Sequence, residues 1–572
     1  MARKQTLVEL QTEAGARLLT GNDTPWQIYP RPRLQRDSYH NLNGFWEFTV
    51  SDSDTLPDRY DRTIRVPFPT ESVLSGVQQH FPEGTRLWYR REFALPEGFC
   101  RERTLLHIGA ADQKTAVYLN GRYIGGNAGG YHHMTFELTD ALAKKNILVI
   151  CVTDDLRDRS FPYGKQTRKR GGMWYTPVSG IWQTVWLESV PAEYVREVHV
   201  RTSLTEAEIA AVGVETGTVT VQTPEGEITV PLEHGKALVS PAVPRLWSPE
   251  SPYLYRFSVK TPQDEVRSYF ALRTLETRTV DGLPRLCLNG TPYFFHGLLD
   301  QGYWPDGLYT PAEPECYAQD ILAMKKLGFN TLRKHIKVEP DQFYYDCDRL
   351  GMIVFQDMVN NGKYSFLRDT ALPTVGLQKR SDRHLHRDNA VRSAFLRSME
   401  QTVQQLRDFP CICYWTIFNE GWGQFDSQHA FLRLRELDDS RFIDTASGWF
   451  RCSKSDVESL HIYFRSVRLK PSDRPLVLSE FGGYSCKPEG HAFNLSSTYG
   501  YRDFARQPDF MDALERLYLE QIVPAREQGL CAAIYTQVSD VEDETNGLLS
   551  YDRKVCKVEE ARMHEIAKKL KY

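Results

Sequence analysis

The sequence lacks the features that define several large protein classes. No stretch approaches the ~18 uninterrupted apolar residues of a membrane span, so no membrane partner is expected. The opening MARKQTLVELQTEAGARLLT contains no roughly 7–15-residue apolar core of a secretory signal, which makes the cytoplasm the expected location. Charge of one sign is not in excess: 70 Lys+Arg against 74 Asp+Glu leave a formal charge of −4. No nucleic-acid partner is therefore expected. The densest basic run, Lys165, Arg168, Lys169 and Arg170, reads as a solvated loop. The eleven cysteines are scattered, and Cys411 and Cys413 form a lone C-x-C without a paired C-x-x-C or an H-E-x-x-H. They read as reduced core residues, and neither a metal nor a cofactor is called for. The run GGNAGG at 125–130 precedes a strand-like Met134–Leu138 rather than a helix, so it is no dinucleotide fingerprint.

What is present is length and β pattern. A chain of 572 residues exceeds a single hydrophobic core and calls for several domains. In a first domain of residues 1–190, residues 25–190 read as strands and turns, among them Trp46–Val50, Leu87–Phe93, Thr115–Leu119 and Leu148–Thr153. Asn120-Gly121 suits a tight hairpin, since both residues tolerate positive φ. Residues 191–275 continue with Val195–Thr202, Val214–Thr223 and Leu254–Val259, the pattern of a small β-sandwich. From 276 to 572 strands alternate with helices. Eight strand candidates follow: Tyr293–Leu299, Asn330–His335, Ile353–Met358, Cys411–Phe418, Phe442–Ser447, Leu460–Phe464, Leu476–Glu480 and Ala532–Gln537. Several are continuous apolar runs, as in strands covered on all sides. Eight such units predict a (β/α)8 barrel, with a doubly wound open sheet as the competitor. Aromatics make up 12% of residues, which suits a carbohydrate protein and a β-rich core equally.

Two strand ends stand out. In Tyr414-Trp-Thr-Ile-Phe-Asn-Glu-Gly421 an apolar strand runs into Glu420 and a glycine. In Pro475-Leu-Val-Leu-Ser-Glu-Phe-Gly-Gly483 the glycine follows Glu480 one residue later. On a barrel, both carboxylates reach the C-terminal mouth, where active sites are built. The glycine lets the chain turn away and leaves room for a ligand. Glycosidic cleavage with retention needs two carboxyl groups roughly 5–5.5 Å apart, one protonated and one ionised. Neighbouring like charges separate two pKa values in that way. The bland alternative is a pair of strand-end salt bridges or helix caps.

These residues resemble glycoside hydrolase family 2, the family of bacterial β-galactosidases, β-glucuronidases and β-mannosidases, along nearly the whole chain. Pro30-Arg-Pro-Arg-Leu-Gln-Arg-Asp37, Leu42-Asn-Gly-Phe-Trp46, Trp88-Tyr-Arg-Arg91, Tyr118-Leu-Asn-Gly121 and Ser179-Gly-Ile-Trp-Gln183 resemble the family's jelly-roll sugar-binding domain. The middle region resembles its immunoglobulin-like domain, and Leu288-Asn-Gly290 with Phe294-Phe-His-Gly297 resembles the entry into its barrel. The resemblance implies Glu420, after the fourth strand, as general acid/base and Glu480, after the seventh, as nucleophile. It implies Asn419 on the sugar 2-hydroxyl, Arg333 beside the nucleophile and Tyr463 donating to it. From strand-end position, His335 is expected in the sugar pocket and Trp449 and Tyr535 as stacking platforms. Asp357 would hold a sugar hydroxyl or pair with Arg333. For Arg333, His335 and Tyr463 the plainer reading is a rim salt bridge, a satisfied core histidine and a packing tyrosine.

The chain also departs from the family pattern. Ile534-Tyr-Thr-Gln537 has no tryptophan at the eighth strand end. The stretch Asp543–Arg553 is acidic and lacks the Asn-x-Lys pair that grips a glucuronate carboxylate in the glucuronidases. The expected activity is a retaining exo-β-glycosidase on oligosaccharides or glycosides of neutral sugars, β-galactoside first. Galactofuranoside, arabinoside, mannoside and glucuronide remain open. A non-catalytic carbohydrate-binding or regulatory protein and a transglycosylase are the other readings. Specificity is expected in the loops 360–387 and 484–507. The sequence leaves oligomeric state open, a homo-oligomer included.

Overall fold

In Gly44–Ser51 the side chains of Trp46 and Phe48 turn inward while Phe45 and Glu47 turn outward, the two-residue alternation of a half-buried strand. The computed structural model describes residues 5–372, 382–383, 385–450 and 452–572. That alternation builds two facing sheets in its N-terminal part. One is six-stranded, in the order 62–66, 44–51, 86–93, 146–153, 114–119, 122–128; the other is four-stranded, in the order 40–41, 185–190, 103–108, 134–137. Trp46, Phe48, Ile64, Tyr89, Leu106 and Ile150 fill the space between them. Asn120 and Gly121 form the hairpin turn with φ of 53° and 81°. The middle part is a seven-stranded antiparallel sheet spanning Glu197–Phe270, with its own core around Val219, Val221, Tyr255 and Phe257.

Arg36, in the Pro30–Asp37 run, joins these two parts. Its guanidinium lies 3.2 Å from Glu188 of the first part and 3.0 Å from Asp264 of the second, and it also donates to the Val195 carbonyl. All three side chains are buried.

The eight expected strands form one parallel barrel: β1 (Phe295–Asp300), β2 (Thr331–Lys334), β3 (Ile353–Asp357), β4 (Ile412–Asn419), β5 (Phe442–Ser447), β6 (Glu458–Ile462), β7 (Leu476–Phe481) and β8 (Leu530–Tyr535). Hydrogen-bonded neighbours run in the order β5-β4-β3-β2-β1-β8-β7-β6. Every residue of β3, β4, β5, β7 and β8 is buried, which explains their continuous apolar runs. Among the described residues no backbone ladder joins β5 to β6. Side chains bridge that seam instead. Ser447 Oγ lies 3.4 Å from Ser459 Oγ and 2.9 Å from His461 Nε2, and Ser459 Oγ lies 2.6 Å from Ser479 Oγ.

The segment 155–177 leaves the N-terminal part and crosses the barrel mouth. Tyr163 donates its amide to Asn360 O at 3.1 Å and its hydroxyl to Gly362 O at 2.8 Å. Trp174 packs edge-on against Trp422 and Tyr364, each at 5.1 Å between ring centroids. Tyr175 donates to Glu544, Thr176 N to Glu542 Oε1 at 2.9 Å, and Arg170 to Asp543 at 3.0 Å. The basic run is thus only half solvated: Arg168 and Lys169 are exposed, while Lys165 and Arg170 are half-buried. In the loop 360–387, residues 373–381 and 384 lie outside the described residues. No helix among the described residues is long and apolar enough to cross a membrane.

Removing one member of a buried ion cluster strands the others without a partner. Arg36→Met is expected to cost about 3–5 kcal/mol of stability, measured as a lowered urea midpoint of the first unfolding transition.

Candidate active site

The chain turns sharply at both carboxylates. Glu420 has φ +52° and Gly421 φ +71°; Glu420 N still donates to Ser447 O at 2.9 Å, one step past the end of the β4–β5 ladder. A Cβ on Gly421 would fall 2.0 Å from the Phe450 ring, so only glycine lets the strand leave the barrel there. Gly482 meets the same limit, with the Tyr535 ring 2.2 Å from where its Cβ would be.

The two turns bring the carboxylates together. One oxygen of Glu420, one of Glu480 and a nitrogen of His461 lie within 4.8 Å of one another. This is the one such donor cluster found among the described residues, and its members are the candidate reacting groups themselves. A cavity of about 610 Å³ opens beside them, lined by Glu420, Trp449, His461, Tyr463, Tyr499 and Tyr501 among others. A second cavity, about 540 Å³, lies where the three parts of the chain meet and shares no lining residue with it.

Arg333 on β2 organises one side. It is fully buried, and its planar fork serves four acceptors on three strands. Nε donates to Asp357 Oδ1 at 2.9 Å, Nη1 to Glu480 Oε1 and to Ser479 O at 3.0 Å, and Nη2 to Asn419 Oδ1 at 2.9 Å. A guanidinium only donates, so the Asn419 amide oxygen must face it and the amide nitrogen is turned away. Asp357 uses its other oxygen on His335 Nδ1 at 2.6 Å. It therefore pairs with Arg333 and orients His335 at once. Tyr463 donates to Glu480 Oε2 at 2.5 Å, contacts Thr536 Oγ1 at 3.0 Å and stacks on Tyr501 with centroids 3.7 Å apart.

The charges follow from these contacts. Burial alone would push the Glu480 pKa up. The positive field of His461, Arg333 and His335 and the Tyr463 hydrogen bond outweigh it and hold it at about 2. Burial also opposes the Asp357 carboxylate, but Arg333 and His335 hold it below its ordinary value. Burial lowers the affinity of Arg333 for its proton, and the Asp357 and Glu480 carboxylates more than restore it. Burial and the Glu480 charge keep Tyr463 protonated as a donor. Burial lowers the His335 pKa, Asp357 partly offsets this, and the nearby Lys165 charge lowers it further.

Two expectations need comment. Tyr535 is not a stacking platform: it has 0% exposure, its ring fills the space left by Gly482, and its hydroxyl meets Tyr484 N at 3.1 Å. Trp449 is half-buried and lines the cavity. Sequence reasoning missed His461, Tyr501 and the crossing wall of 155–177, whose Met173 lines the cavity. A lone histidine on a strand carries no signal of its own, and the wall comes from a segment some 250 residues upstream of β4.

Comparison with known proteins agrees with this architecture. Residues 285–482 match the model of the glycosyl hydrolases family 2 TIM barrel domain, and residues 189–273 match that of glycosyl hydrolases family 2. The chain belongs to glycoside hydrolase family 2. A β-galactosidase of Thermoanaerobacter pseudethanolicus is 25% identical over 298 residues, 47% of this chain, and the match spans only 39% of that relative's length. The human β-glucuronidase is 23% identical over 495 residues, 73% of this chain and 70% of its own. Among solved structures, a β-D-glucuronidase of Dictyoglomus thermophilum superposes with a TM-score of 0.72 at 16% identity, covering 95% of this chain and 98% of its own. A β-galacturonidase of Eisenbergiella tayi bound to galacturonate gives 0.66 at 16%, covering 93% and 97%. At these identities the structures share the fold.

The Arg333 fork gives a testable pH dependence. A depressed carboxylate pKa contributes stability above its ordinary value, here 4.5, that is lost as pH falls toward about 2. Arg333→Lys keeps the charge, but its three protons on one nitrogen cannot serve four acceptors spread over three strands. The variant should be less stable than the parent at pH 7, and the gap should narrow as pH falls from 4.5 toward 2, measured by urea unfolding across pH.

Proposed function

We propose that the chain is a retaining exo-β-glycosidase, with Glu420 as general acid/base and Glu480 as nucleophile. The observation that carries this reading is the approach of one oxygen of each carboxylate to within 4.8 Å, beside a cavity that Glu420 lines. Retaining enzymes place their carboxyl groups roughly 5–5.5 Å apart, and inverting enzymes roughly 6.5–9.5 Å. The ionised Glu480, held by Arg333 and Tyr463, is suited to attack the anomeric carbon. Glu420 gives its proton to the departing oxygen, and the covalent glycosyl ester forms on Glu480. Glu420 then takes a proton from water, which attacks the same carbon and frees Glu480. Asn419, its amide nitrogen turned away from Arg333, would donate to the sugar 2-hydroxyl. Asp357 with His335 would hold another hydroxyl, and Trp449 would offer an apolar face. The wall of 155–177 supports exo action, because it closes one side of the mouth into a pocket. In this reading residues 1–190 form a jelly-roll sugar-binding-like domain, 191–275 an immunoglobulin-like sandwich and 276–572 the catalytic barrel.

A neutral sugar, with β-galactoside first, fits the acidic rim of Glu542, Asp543 and Glu544. One observation favours a second reading, a uronide. Lys165 is half-buried and has no side-chain hydrogen bond or ion pair among the described residues, yet its charge acts on both His335 and Glu544. The β-glucuronidase and β-galacturonidase neighbours point the same way.

Glu480→Ala should abolish turnover, and azide should restore part of it with an inverted product, followed by NMR of the anomeric proton; full activity without azide would refute the assignment. Aryl glycosides differing only in the sugar decide specificity. The galactoside should exceed the glucuronide in kcat/KM. The reverse order, lost on Lys165→Met, would establish the uronide reading.

A further inference from the structure

His461 has no part in the proposed reaction so far, yet it contacts both candidate reacting groups. Its Nδ1 lies 2.8 Å from Glu420 Oε1 and 3.5 Å from Glu480 Oε2, and it is fully buried at the side chain. The ring is held from three directions. Ser447 Oγ on β5 meets Nε2 at 2.9 Å. Gly448, where a Cβ would come within 2.6–2.9 Å of the ring, leaves room for it. Trp449 covers it at 5.7 Å between centroids. The charged and titratable groups around it are Glu420 after β4, Glu480 on β7, Asp444 on β5, Tyr463 two residues on, and Arg333 beyond Glu480.

A carboxylic acid that protonates a leaving group must present one chosen oxygen. Glu420 sits at the end of a strand on a left-handed residue, and its side chain is 19% exposed. Nothing in the backbone chooses which oxygen faces the cavity. A donor fixed on Oε1 makes that choice, because the proton must then reside on Oε2.

We propose that His461 is a positioning residue for the acid/base: with its proton on Nδ1 it donates to Glu420 Oε1 and thereby presents Oε2 to the leaving oxygen. This rests on Glu420 being the acid/base. The competing role is structural, a side chain that merely bridges the seam between β5 and β6 through Ser447.

Amide replacements separate the two roles. Asparagine places a donor near the Nδ1 position and gives up Ser447. Glutamine reaches the Nε2 position and keeps Ser447. The experiment measures kcat/KM for methyl and 2,4-dinitrophenyl β-galactosides, or the same pair on whichever sugar the aryl panel selects. Labelling of Glu480 by a 2-deoxy-2-fluoro glycoside, read by mass, verifies a folded site in each variant. His461→Ala and His461→Gln should lose about 10²-fold on the methyl glycoside and little on the dinitrophenyl one, which needs no proton. His461→Asn should recover most of that loss. Equal losses on the two substrates, or glutamine matching asparagine, would each overturn the proposal. If alanine does not fold, the asparagine–glutamine pair still decides. Glu420→Ala is the control: if it too shows no leaving-group dependence, the acid/base reading itself has failed, and if it shows one while His461 variants do not, only this inference has.

Discussion

The buried guanidinium of Arg333 is the interaction on which the site depends. A charge with no exposure is tolerated only when its donors are matched, and here three elements supply the match: Asp357 from β3, Asn419 from β4 and Glu480 from β7. The fork is rigid, so these three side chains are held in register with one another. The same contacts keep Glu480 and Asp357 ionised in a place where burial would neutralise them. Structure and electrostatics are one arrangement, because the partners that pay for desolvating the arginine are the groups whose charge the proposed chemistry uses.

Glycine completes what the arginine begins. A strand that simply ran on would carry Glu420 out over the rim, and the left-handed turn at Glu420 and Gly421 brings it back across the mouth. Phe450 and Tyr535 occupy the volume that side chains at Gly421 and Gly482 would have taken. Close packing of rings under the turns therefore fixes the height of both carboxylates.

The barrel was legible in the sequence because several of its strands are continuous apolar runs with charged or glycine ends, and eight such units fit a closed barrel as well as a doubly wound sheet. Glu420 and Glu480 were legible for the same reason: each is a charge at the end of such a run. Partners across strands were less so. Arg333 and Tyr463 needed a family resemblance to be read beside Glu480, since strand spacing alone does not reveal which ends converge. His461 stayed hidden because its significance depends on a missing ladder between β5 and β6 and on the space above Gly448. Tyr535 was misjudged from strand-end position: the turn at Gly482 brings its ring into the core, while its neighbour Thr536 touches Tyr463. The basic run at 165–170 was read by composition, which reports charge density but not that Tyr175 and Thr176 tie the segment to Glu544 and Glu542.

That tie changes what counts as the smallest working unit. Trp174 shields Trp422 two residues from Glu420, and Tyr175 and Thr176 satisfy two carboxylates on the far rim. A barrel cut free of the β parts would keep both candidate catalytic carboxylates and lose one wall of the chamber they face. Glu544 and Glu542 would lose Tyr175 and Thr176, and Trp422 would lose the rings of Tyr163 and Trp174. The N-terminal β part therefore contributes Met173 to the cavity beside the candidate carboxylates, and replacing that part would change this side of the chamber.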